Sequence, residues 1–146
     1  MTKEISPGFA AAGVVPIRRL VALNLGLAAV QPLSAGFLLS GFDYWPTIHA
    51  LAATALQLGA LVQAVTALVL WRRRRLPPRI AAVGLGLVAA VFVEVWMGYS
   101  RRYWLHVPLA VAILVNLVRQ FSSLNSLLPA VVTAAGSRSR EAMSVR

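Results

Sequence analysis

His49 and His106 are the only two histidines in the chain, and each stands near the start of a long apolar run. One ring nitrogen of an imidazole can bind a metal while a neighbour holds the other. Two imidazoles at one depth of a helical bundle can therefore clamp a haem iron or a metal ion between them. Glu94 is the only acid deep inside an apolar run. A carboxylate there is costly and marks a functional position. It has three open roles: acceptor for the ring N–H of a liganding histidine, direct ligand in a His49–Glu94–His106 copper or iron site, or proton carrier. Pairing with Arg101 or Arg102 would equally explain its burial.

These residues must be positioned by membrane-spanning helices. The 146 residues are 59% hydrophobic and only 12% charged, with a mean hydropathy of +0.75. A soluble domain is about half apolar. A span needs about 20 mainly apolar residues. Leu20 to Gly41, Pro46 to Trp71, Ile80 to Gly98 and a shorter run from Tyr103 to Val118 meet that need. Continuous runs without period-2 alternation argue against a barrel. The expectation is an all-α integral membrane protein, a four-helix bundle. Residues 1–19 form a cytoplasmic segment, residues 20–118 the transmembrane domain, and residues 119–146 a cytoplasmic tail.

The formal charge of +10 fits topology better than nucleic-acid binding. Lys3, Arg18, Arg19, Arg72, Arg73, Arg74, Arg75, Arg79, Arg119, Arg138, Arg140 and Arg146 fall on one side of a four-span layout. Arg101 and Arg102 fall on the other. Both termini are thus expected in the cytoplasm of a cell with the protein in its inner membrane, the first helix being a retained anchor. Tyr44, Trp45, Trp96, Tyr99, Tyr103 and Trp104 make an outer aromatic belt, and Trp71 marks the inner interface. The run Arg72–Arg75 suits anionic lipid headgroups.

Pro46 belongs in the first turn of helix two, with Asp43 expected to cap that helix. Leu76-Pro77-Pro78 makes a stiff inner turn. Pro108 either follows the start of helix four or kinks it. In the tail, Phe121, Leu124, Leu127, Leu128, Val131 and Val132 suggest a short amphipathic helix on the membrane surface, and residues 136–146 suggest disorder. Asn24, Gln31, Gln57, Gln63 and Asn116 lie within spans, where such groups usually bond between helices. Gln63 can line the same interior as His49, further in. There is also a short internal repeat. Ala28-Ala29-Val30-Gln31 with Gly36 precedes His49, and Ala89-Ala90-Val91 with Glu94 and Gly98 precedes His106. Two like hairpins would be related by an axis along the membrane normal.

Around the histidines, Ala53, Ala60 and Ala110 share their faces, and Gly36 and Gly98 could let a flat macrocycle approach. Arg101 and Arg102 stand where haem propionates would emerge and could pair with them. The chain has no cysteine, which excludes disulfides, thiolate metal sites and thiol catalysis. It also has no phosphate-binding glycine loop, nucleophile elbow or zinc-protease helix.

The order Gln31, Gly36, His49, Glu94, Gly98, then Leu105-His106-Val107-Pro108-Leu109 resembles small four-helix membrane proteins of bacteria. More distantly it is similar to bis-histidine four-helix haem proteins of the cytochrome b kind. The resemblance covers residues 20–118 and implies haem b between His49 and His106. Cytochromes with two stacked haems use four histidines, and this chain has two. One haem is then the maximum, with electron transfer to an outer-face partner or a quinol. Other expectations are an accessory or scaffold subunit packed on a larger membrane partner, a homo-oligomer, or a copper or iron site without haem.

Overall fold

The computed structural model describes the backbone of residues 7–144 and the side chains of residues 13–127. Four helices follow one another: α1 (Pro7–Leu39), α2 (Trp45–Arg72), α3 (Pro78–Tyr99) and α4 (Tyr103–Ser144). All four contain a stretch long and apolar enough to cross a membrane: Gly13–Leu39, Trp45–Arg72, Pro78–Tyr99 and Tyr103–Leu127. The all-α four-helix architecture read from hydropathy is the one observed.

Prolines and left-handed residues set the turns. α2 opens with Pro46 in its first turn, but Asp43 does not cap it. The N-cap position belongs to Tyr44, and no side chain bonds there. Pro77 is extended, at φ −68° and ψ 150°, and α3 starts on the next residue. Leu76 tucks beneath the bundle at 2% exposure. Gly41, Arg74 and Arg101 take positive φ in the three turns. Pro108 lies one turn inside α4, where it deletes only the bond to the Trp104 carbonyl.

Each helix packs against its two neighbours in a ring, α1 against α2 and α4, and α3 against α2 and α4. Thus α2 and α4 face one another across the diagonal. Close approach uses glycine. A Cβ on Gly84 would stand 3.2 Å from the Ala64 Cα, and one on Gly59 would overlap the Asn24 carboxamide. The polarity is inverted relative to a water-soluble protein. Asn24, Gln31, Ser34, Gln63 and Glu94 are buried, while Leu23, Leu33, Leu51, Val62 and Val107 face outward. A lipid environment accounts for that pattern, because apolar surface outside costs nothing there and polar groups must find partners inside.

Helices α1 and α4 exceed their expected bounds. Residues 7–19 already belong to α1. The fourth span is not short, and the tail does not begin as a separate surface helix. Leu124 is 4% exposed in the core and Phe121 packs against it. The helical spacing of these residues reflects a face turned onto α1 rather than onto a membrane surface. The segment expected to be disordered continues as helix to Ser144. The side chains of Leu128, Val131, Val132, Arg138 and Arg140 lie outside the described residues, as do Lys3 and Arg146.

Candidate functional site

The structure brings His49 and His106 together. α2 and α4 enter the bundle from the same end, each with its histidine about one turn in. Their ring centres are 6.4 Å apart across the diagonal, with planes at 70°. Both rings line one cavity of about 470 Å³. Its wall is mainly apolar, from Ala35, Leu38, Ala50, Ala53, Val95 and Val107. Gln31, Glu94, Tyr99 and Tyr103 add polar groups.

Each ring is fixed through Nδ1. The Ser34 hydroxyl donates to the Gln31 carbonyl at 3.0 Å. Its proton is thereby committed, and the contact of 2.8 Å between Ser34 Oγ and His49 Nδ1 runs from ring N–H to hydroxyl oxygen. His106 Nδ1 lies 3.0 Å from the Glu94 backbone oxygen and 3.0 Å from Glu94 Oε1. A carbonyl can only accept, so this ring also carries its hydrogen on Nδ1. On a neutral ring held in this way, the remaining nitrogen, Nε2, is the one with a lone pair. This is the arrangement in which outer partners orient liganding histidines. Ser34, which sequence reasoning did not single out, is half of it.

Glu94 therefore behaves as the acceptor among its three expected roles. Among the described residues no group of three histidine, cysteine or acidic side chains could hold a metal ion. The expected His49–Glu94–His106 metal constellation is not assembled. The carboxylate sits on the Nδ1 side of His106, away from Nε2.

Gly98 makes room, but for His106 itself. A Cβ there would stand 3.0 Å from the ring Cε1 and 3.1 Å from Nδ1. Gly36 lies on the exposed outer face of α1 with nothing within 4 Å of a Cβ. It lines no part of the cavity. Arg101 and Arg102 are exposed in the turn between α3 and α4. The Arg102 guanidinium rests 5.9 Å from the Trp96 ring, and neither arginine lines the cavity. Tyr103, by contrast, brings its ring within 6.5 Å of His106.

A second polar group lies deeper. Asn24 Nδ2 donates to Gln63 Oε1 at 2.8 Å, and Gln63 Nε2 donates to Gln120 Oε1 at 3.0 Å. Three helices are tied here, as expected for Asn24 and Gln63. Gln120 had been placed in the tail. Beyond it, Arg18 donates to Asn125 at 2.6 Å and lies 5.3 Å from the Phe121 ring.

Comparison of the chain with protein-family models, curated proteins and solved structures gives no match.

Proposed function

We propose that this protein binds one haem b between His49 and His106 and passes electrons at the outer side of a bacterial plasma membrane. The single observation that carries the reading is the imidazole pair: 6.4 Å between centres, Nδ1 committed on both rings and Nε2 available on both. An ion shared by two imidazole nitrogens at about 2.0–2.1 Å each sets ring centres roughly 6 Å apart. Turning a ring about its metal bond leaves that distance unchanged, so crossed planes fit.

The donor set favours haem over a bare ion. Two imidazoles leave a copper, iron or zinc ion short of the three or more protein ligands such sites use. Haem supplies four nitrogens of its own and asks two of the protein. It would supply one-electron chemistry, and two histidines would leave its iron no open position. The residues would hold it differently from expectation. Ser34 and Glu94 orient the imidazoles, and the small side chains of Ala35, Ala50 and Ala53 leave space beside them. The arginine role at the propionates and the Gly36 role have no support. A lipid-soluble quinol or a membrane-protein partner at the outer face would exchange the electron.

The test is the absorption spectrum of the detergent-purified protein from haem-replete cells. The expected result is a Soret band with sharp α and β bands after dithionite, at about one haem per chain. His49→Ala and His106→Ala should each abolish that low-spin spectrum. A colourless protein that co-purifies with a membrane partner would overturn the haem reading in favour of an accessory subunit.

Orientation has its own test. Arg18, Arg19, Arg72–Arg75, Arg79 and Arg119 gather toward one end of the bundle, and Arg101 and Arg102 lie at the other. The positive-inside rule puts the first end in the cytoplasm. The chain lacks cysteine, so single cysteines report without background. Ser100→Cys should react with an impermeant maleimide on intact cells. Arg74→Cys should react only after permeabilisation. The reverse pattern would invert the topology.

A further inference from the structure

The two helical hairpins share one pattern of buried positions. In α1 the buried positions include Val21, Asn24, Gln31 and Ser34. They recur 60 residues on in α3 as Ala81, Gly84, Val91 and Glu94, all buried. In α2 the buried positions include Leu56, Ala60, Gln63 and Ala67. They recur 57 residues on in α4 as Ile113, Leu117, Gln120 and Leu124, of which only Gln120 is part-buried. His49 and His106 share the second shift. Each hairpin holds its own histidine through the same position of its first helix, Ser34 in one and Glu94 in the other. These correspondences imply an approximate two-fold axis along the bundle between the imidazoles. It also relates Gln63 to Gln120, which touch.

The symmetry fails at one chemically decisive place, a hydroxyl against a carboxylate. We infer that Glu94 makes the two histidines inequivalent, with His106 the firmly held ligand and His49 the exchangeable one. This rests on the imidazole-pair reading above. A hydrogen bond to a carboxylate is roughly twice as strong as one between neutral groups. It draws the Nδ1 hydrogen away from the ring and puts electron density on Nε2, strengthening the metal bond. His106 also bonds the Glu94 backbone oxygen and lies against Gly98. His49 has only neutral partners, the Ser34 hydroxyl, already donating elsewhere, and the Gln31 backbone. Ala50 and Ala53 line the cavity beside it and give its ring room to swing aside. A small neutral ligand such as carbon monoxide would enter on the His49 side. Glu94 is thus a positioning residue acting through His106.

The experiment uses the full chain in detergent, with and without haem. With haem, His49→Ala should keep the group as a high-spin species that binds carbon monoxide. His106→Ala should retain at least tenfold less. Glu94→Gln should weaken haem retention about 10- to 100-fold, and Ser34→Ala by less than Glu94→Gln. Equal retention in the two histidine variants, or preferential loss in His49→Ala, would overturn the inference. Without haem, nitrogen-15 NMR should show two Nδ1–H signals, the His106 signal lying further downfield. Glu94→Gln should move that signal and leave His49 in place. Coincident signals that Glu94→Gln does not move would also overturn it. A wild-type protein with no Soret band would instead sink the haem reading, and the NMR experiment would then decide the inequivalence by itself.

Discussion

Replacing Gly98 by valine is expected to evict His106 from its seat and strip the site, although Gly98 carries no chemistry of its own. The His106 ring rests directly on this glycine, and even a lone Cβ would stand 3.0 Å from Cε1. That contact is tight enough that the ring must move. The branched side chain adds two methyls in the same place. Overpacking of this kind costs about 1–3 kcal/mol, or roughly 5- to 150-fold in an equilibrium. The ring cannot retreat without losing the Glu94 backbone oxygen and Oε1. Retention of the proposed haem should fall within that range, and the His106 Nδ1 resonance should shift in the unloaded protein. Gly36→Val is the control, because nothing lies within 4 Å of its Cβ. Equal behaviour of the two variants in both measurements would show that the seat does not position His106.

Gln63→Leu should cause the largest loss of bundle stability among substitutions of interior polar residues. It removes both hydrogen bonds that tie α1 to α2 and α2 to α4. It also strands the Asn24 carboxamide, which is wholly buried. Interhelical bonds within membranes average about 0.6 kcal/mol, with a maximum near 1.7. An orphaned buried polar group adds about 1–3 kcal/mol. The sum should be roughly 2–4 kcal/mol, read as a lowered unfolding midpoint in mixed detergent micelles. Gln57→Leu is the comparison, because Gln57 is half-buried outside this network. Equal midpoints for the two variants would mean that the amide ties contribute nothing to stability.

Hydropathy made the four spans legible because length and apolar continuity are properties of single segments. The shared depth of His49 and His106 followed from where those segments begin. Pairing across the diagonal did not, since helix rotation depends on packing between segments. The length of α4 was hidden by Arg119 and the serines after it, which lower hydropathy although Leu124 and Gln120 turn inward. Arg101 and Arg102 attracted a role because they break a charge pattern, yet their turn carries them away from the cavity. The repeat was visible one register off. Matching Ala28-Ala29-Val30 to Ala89-Ala90-Val91 aligns composition, whereas the fold aligns Ser34 with Glu94. The missed signal was the equal spacing of 14 residues from His49 to Gln63 and from His106 to Gln120. Without it, Ser34 looked like one more small residue.

That spacing also favours a handedness. Fourteen residues are four turns only if a helix repeats every 3.5 residues, and a straight α-helix drifts about 20° per seven residues from that repeat. Two straight rods meeting at the histidines would miss at the glutamines by about 40°. The imidazoles meet at one level and the amides at the other. A left-handed curl of α2 and α4 about the bundle axis, the sense of a coiled coil, is the one that would cancel this drift and keep both contacts on one seam.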